Sequence, residues 1–106
     1  MSSSENFKDF VLDQLKLCGN KYTFHTRKMF GEYCIYVNNK PIFLICNDVL
    51  YIKQFYFLKR ILKNNEKDFP FSKAKLWYII DIENIEILKR VVELFLSSDL
   101  ILKDEK

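Results

Sequence analysis

The chain is expected to fold as a two-layer α+β domain, an antiparallel sheet of about five strands with the helices on one face. Three observations carry this expectation. Apolar residues near both ends recur at helical steps, whereas the stretch between them is built of short alternating or wholly apolar segments broken by turn residues. Those segments follow one another through short connections, as the strands of an antiparallel meander do. Helices laid on one face of such a sheet bury both amphipathic surfaces at once.

The expected order is α-β-β-β-β-α-β-α. Ser2 and Glu5 have capping-box spacing, and Phe7, Phe10, Val11, Leu15 and Cys18 follow at helical steps until Gly19 and Asn20 supply a stop. Tyr22 to Met29 alternates as a strand. Tyr33 to Val37 makes a second strand, Asn38, Asn39 and Lys40 a hairpin turn of residues that tolerate positive φ, and Pro41 to Cys46 a third strand. Asn47 and Asp48 then turn the chain into a fourth, Val49 to Lys53. From Gln54 to Asn64 the period changes to helical, with Phe55, Leu58, Ile61 and Leu62 on one side and Lys59, Arg60 and Lys63 largely on another. Pro70 and Ser72 mark a loop, because the residue before a proline is pushed out of helical geometry. Leu76 to Asp81 reads as a fifth strand with Trp77 and Tyr78 near its start. Ile85, Leu88, Val92, Phe95 and Leu96 place a last helix over Glu83 to Ser97, and Lys103 to Lys106 are expected to fray.

Two strands depart from the pattern of a sheet with one wet face. Tyr33 to Val37 and Ile42 to Cys46 are apolar on both faces, where alternation of apolar and polar residues is the rule. Either tyrosines and short aliphatics stand singly on the surface, or something covers the second face, a partner protein or a second copy of the chain in a homodimer.

At 106 residues the chain fits one domain, residues 1–106, able to bury roughly 65% of its unfolded surface. It holds no apolar run long enough to span a membrane, and it opens on Met1, three serines and Glu5 rather than on a basic and then apolar leader. A soluble, cytoplasmic protein is expected. Cys18, Cys34 and Cys46 are odd in number and widely spaced, so neither a disulfide framework nor a zinc site is signalled, and reduced, mostly buried thiols are expected. The net charge is +3, but residues 21–75 hold eleven Lys and Arg against four Asp and Glu, while both ends lean acidic. Such a basic middle suits a nucleic-acid or acidic-protein partner, provided its lysines share a surface.

No local motif for catalysis stands out. His25 is the lone histidine, with no neighbouring nucleophile, and a strand histidine beside Arg27 reads as structural. The two glycines, Gly19 and Gly31, form no phosphate loop. Asp81, Glu83 and Glu86 sit where a helix begins, and the positive end of its dipole accounts for them better than a metal does. The expectation is a protein that is not an enzyme and needs no cofactor or metal.

The densest motif is Arg27, Lys28, Met29, Phe30, Gly31, Glu32 and Tyr33, a basic pair followed by a tight turn between two strands. Arg27 and Lys28 fall on opposite faces of their strand. Arg27 is either a structural arginine, its fork locking the turn through Glu32 or Asp48, or part of a contact surface with Lys28, Tyr51 and Lys53. Met29, Phe30 and Tyr33 read as structural, and Gly31 as the residue that permits a positive φ or close chain approach. Taken with Leu50-Tyr51-Ile52-Lys53, Pro70-Phe71 and Trp77-Tyr78, this motif resembles the N-terminal domain of the TfoX/Sxy family of bacterial competence regulators, from about Phe7 to Leu96.

The resemblance implies a transcriptional coregulator that works with a transcription factor, the cAMP receptor protein, at competence promoters. Full-length members carry a separate C-terminal domain, for which these residues leave no room. The leading expectation is therefore a small regulatory domain acting through protein contacts. The alternative is a weak nucleic-acid binder that uses Lys59, Arg60 and the rest of the basic middle, with Tyr22, Tyr51, Phe55 or Trp77 as stacking platforms. An enzyme whose site assembles from dispersed residues comes third.

Overall fold

The computed structural model describes residues 4–29 and 32–97 of the chain. The turn at Phe30 and Gly31, the Ser2 of the expected capping box and the tail at Lys103 to Lys106 lie outside the described residues. Helix α1 spans Glu5–Lys16, and Ser4 is its N-cap: the Ser4 hydroxyl accepts the N–H of Phe7 at 3.1 Å. Ser4 thereby satisfies one of the helix's orphan N–H donors.

Four strands follow as a meander: β1 Phe24–Met29, β2 Glu32–Val37, β3 Lys40–Cys46 and β4 Val49–Ile52. The two turns between β2, β3 and β4 are each a pair of residues with positive φ, Asn38 and Asn39 at 50° and 67°, Asn47 and Asp48 at 52° and 57°. Two consecutive left-handed residues make the type I′ turn whose twist matches that of antiparallel strands, and Asn and Asp tolerate it best after glycine. Between Ile35 and Tyr36 the β2–β3 register slips, so that Ile42 is inserted as a bulge residue and is buried.

The segment expected to be a helix over Gln54 to Asn64 is instead one turn of 3-10 helix, Tyr56–Leu58, running into further turns. Its bonds span three residues, from the N–H of Leu58 to the Phe55 carbonyl and from that of Lys59 to Tyr56, at 3.0 and 3.2 Å. Three consecutive aromatic residues have only modest helix propensity. Here Phe55 stacks on Phe57 with centroids 5.3 Å apart, and both rings meet Phe95 edge-on. Tertiary packing of those rings overrides the helical period.

A two-residue strand, β5 Lys67–Asp68, then pairs with β6 Trp77–Ile79, and helix α2, Ile85–Ser97, closes the described chain. The fold is α+β as expected, with six antiparallel strands in the order β1-β2-β3-β4-β6-β5. Asn84 begins α2, its side-chain oxygen accepting the N–H of Ile87 at 3.2 Å. Asp81, from the acidic group near this helix, accepts the N–H of Glu83 at 3.0 Å, which gives it a turn-forming role.

Register sorts the sheet into two faces. Ile35, Phe43, Ile45, Leu50, Ile52 and Tyr78 point to one side, where they join Val11 and Leu15 of α1, Leu58 and Leu62 of the turn segment, and Leu88, Val91 and Val92 of α2 in a single core. Ile35, Ile45 and Ile52 have no exposed surface at all. Arg27, Cys34, Leu44, Tyr51 and Ile79 form a row across the opposite, outer face. Gln14 reaches from α1 to the Ile82 carbonyl at 2.9 Å, clasping the helical layer to the chain before α2.

The chain itself covers part of the outer face. Cys46 and Tyr51 are buried, yet neither belongs to the core between sheet and helices. Residues 69–76 connect β5 to β6, and Pro70 within them is buried and lines a hollow with Phe69, Phe71 and Asn47 of the β3–β4 turn. This connection therefore folds back over the end of β3 and β4 where Cys46 and Tyr51 lie. The two-sided apolar strands thus have a cause within the molecule, although the loop reaches only part of the face.

Candidate functional site

Beside that loop the outer face forms a groove. Its floor is Cys34 and Leu44, its walls are Met29, Trp77 and Phe71, and Lys53 stands at its rim, enclosing about 390 Å³. A second hollow of about 530 Å³ adjoins it and shares Lys53, Phe55, Phe71 and Trp77, adding Lys75 and Leu76. The Lys53 ammonium lies 5.7 Å from the centre of the Trp77 ring, within cation–π range. That geometry follows from pairing: Ile52 lies opposite Tyr78, so the next residue outward on one strand meets the preceding residue on the other, on the outer face.

The groove exposes a large apolar surface for so small a protein. Phe71, Met29 and Leu76 are 54%, 41% and 40% exposed, and Phe69 on the same loop is 57% exposed. The loop holds a defined shape. Ala74 donates its N–H to the Phe71 carbonyl at 3.1 Å, the Gln54 side chain donates to the Leu76 carbonyl at 2.8 Å, and Lys73 takes a φ of 69°. A left-handed lysine costs roughly 1 kcal/mol, and such backbone strain persists only where its surroundings impose it.

The residues singled out from the sequence separate into three places. Arg27, Tyr51, Lys53, Met29 and Trp77 lie on the outer face, in or beside the groove, and Tyr51 is buried there. Lys28 pairs with Tyr33 on the helix-side face, so the adjacent basic residues point apart as strand alternation requires. Tyr33 is buried in the core. Lys59 lies in a cleft of about 280 Å³ with Lys63, Lys67, Tyr56 and Tyr78 that borders the second hollow at Gln54 and Phe55, while Arg60 is exposed in the same turn segment. The basic middle of the chain is consequently not one patch. Phe30 and Gly31 lie outside the described residues.

The two candidate carboxylate partners of Arg27 each take a backbone N–H. Glu32 accepts the N–H of Asn47 at 3.4 Å and Asp48 accepts that of Ser4 at 2.7 Å, so they fasten the β3–β4 turn to β2 and to the start of α1. Arg27 is exposed and sits opposite Cys34. His25 stacks flat on Tyr36, centroids 4.8 Å apart, which agrees with a structural histidine. Among the described residues no cluster of His, Cys, Asp and Glu could hold a metal ion.

The three thiols are held in their neutral form. Burial pushes Cys46 up to about 11, with Glu32 adding to the effect. Burial raises Cys18 and Cys34 as well, partly offset by Lys89 and by Arg27 respectively. An activated nucleophile needs the opposite shift, toward the thiolate. Burial also raises the Tyr51 phenol, and nearby Asp68 reinforces it.

Sequence reading missed Phe71, Lys75 and Leu76 as groove residues, and Cys34 and Leu44 as its floor. Two phenylalanines flanking a proline in a loop were the available signal, since loops seldom carry exposed aromatics without a use for them.

No family model matches the chain. The chain is similar to an uncharacterized 12.7 kDa protein in the trpE 5′ region of Spirochaeta aurantia, 27% identical over 81 residues that span 76% of this chain and 68% of the relative. Among the described residues, no helix is long and apolar enough to cross a membrane.

Proposed function

We propose that the protein is a non-enzymatic regulatory domain that acts in the cytoplasm by contacting another protein through the groove on its outer sheet face. The observation that carries this reading is the groove itself: exposed Phe71, Met29 and Leu76 around Lys53 and Trp77, on a surface that a monomer gains nothing by leaving open. Aromatic residues and methionine around an apolar centre are enriched in protein interfaces. The resemblance to TfoX/Sxy N-terminal domains supports the same reading from the motif Arg27 to Tyr33 and from Pro70-Phe71 and Trp77, several of which build the groove. On that resemblance the partner is a transcription factor. A homodimer through this face is the competing arrangement, in which Leu44→Lys would turn a dimer into a soluble monomer.

Capture of partners from a lysate of the source cells by tagged protein, with and without nuclease, tests the proposal. A nuclease-resistant protein partner is expected. Recovery of nuclease-sensitive material alone would favour the second reading, direct nucleic-acid binding. The cleft that gathers Lys59, Lys63 and Lys67 beside the exposed Tyr56 is the observation behind that reading. Binding there would weaken steeply with salt and with Lys59→Glu combined with Arg60→Glu.

A further inference from the structure

The two adjoining hollows on the outer face have an unbalanced chemistry. Their cations are Lys53 and Lys75, and among the described residues no aspartate or glutamate lines either one. The rest of the lining is mainly apolar, with Met29, Leu44 and Phe71 among the residues of the first hollow. The wall is also set in advance, since the Phe71–Ala74 turn and the Gln54 bond to Leu76 fix the loop before any ligand arrives. A preformed wall lowers the ordering cost of binding.

Building on the protein-contact reading, we propose that the groove receives an acidic, extended segment of the partner, with a bulky apolar side chain in the Met29–Leu44–Phe71 hollow and flanking carboxylates on Lys53 and Lys75. Charge complementarity selects this occupant. A second copy of the same face would bring lysines against lysines without a carboxylate between them. A nucleic-acid strand repeats its charge at every phosphate and needs a track of cations. The lysines that do gather, Lys59, Lys63 and Lys67, line a neighbouring cleft that meets the second hollow at Gln54 and Phe55, whereas the groove itself sets two cations into mainly apolar walls.

Trp77 is the only tryptophan in the chain, so its emission reads occupancy of the groove without a label. The probe is the synthetic peptide Asp-Glu-Asp-Leu-Phe-Glu-Asp-Glu, compared with a version carrying lysine at every acidic position, a version with serine in place of Leu-Phe, and oligothymidylate. The acidic apolar peptide should shift Trp77 emission saturably and protect Cys34, on the groove floor, from alkylation. Its affinity should fall about tenfold or more in Lys53→Glu with Lys75→Glu, fall in Phe71→Ala, and be unchanged in Lys59→Glu.

Absence of a saturable shift, an equal response to the lysine peptide, or tighter binding of oligothymidylate at the groove would overturn the proposal. Cys34 protection is measured on the unaltered protein, so the test does not depend on any variant folding. A nuclease-resistant partner captured by a protein that ignores the acidic peptides would leave the protein-contact reading standing and remove only this assignment of its chemistry.

Discussion

The two faces of the sheet are built from the same kinds of residue and do opposite things. On the helix side, Ile35, Phe43, Ile45 and Ile52 meet two helices and the aromatic turn and lose essentially all their exposed surface. On the outer side, Cys34, Leu44 and Met29 stay half-buried or exposed beside Lys53 and Trp77, with a single loop over one end. Apolar character alone therefore does not make core. What separates the faces is whether a layer covers them, and among the described residues the outer face has only the loop 69–76.

The largest effect that could break this comparison is a substitution on the helix side. Phe43→Ala should cost about 3–5 kcal/mol in urea denaturation and Ile35→Lys should prevent folding, because each leaves a cavity or a charge in a closed core. Leu44→Ala, one residue away on the other face, should cost about 1 kcal/mol. Equal costs at positions 43 and 44 would mean that the outer face is as closed as the inner.

Next in size is a pH effect on the covered end of the outer face. The Cys46 thiol is raised from 9.0 to about 11 in the folded protein, so its contribution to stability is complete below pH 9 and is lost as pH rises toward about 11. A loss of order 2 kcal/mol across that window is expected, and Cys46→Ala should remove that part of the dependence. Alkylation checks the same point, with Cys34 reacting before Cys46 and Cys18. If Cys46 reacts as fast as Cys34, the loop does not cover it.

Smaller effects sharpen the account of what holds each layer in place. Asn84→Ala should cost about 1 kcal/mol in thermal or urea unfolding by removing the cap of α2. Lys73→Gly should gain up to about 1 kcal/mol by relieving the left-handed residue in the groove wall. Asn39→Gly should gain about 0.5 kcal/mol in the β2–β3 turn, where type I′ geometry favours Asn-Gly.

Local signals made much of the fold legible. Asn38-Asn39 and Asn47-Asp48 announced tight turns, apolar periodicity placed α1 and α2, and alternation placed Arg27 and Lys28 on opposite faces. Elements decided by distant contacts were not legible. Lys67 and Asp68 form a strand only because β6 offers an edge, and Phe55 to Phe57 leave the helix because Phe95 arrives from α2. The same limit applied to the site. Arg27, Lys53 and Trp77 could be picked out by type, but a groove exists only because the β5–β6 loop folds back, and no local pattern encodes that path. Lys59, attractive on charge, lines a cleft that borders the groove's second hollow at Gln54 and Phe55, and Arg60 is exposed in the same segment.

The most direct test of the central claim, that the outer groove is the recognition surface, is nuclease-treated capture compared across two variants that alter different basic sites. Lys53→Glu with Phe71→Ala should lose the partner, while Lys59→Glu with Lys63→Glu should retain it at the wild-type level. Retention by the first variant and loss by the second would contradict the account and move recognition to the lysine cleft.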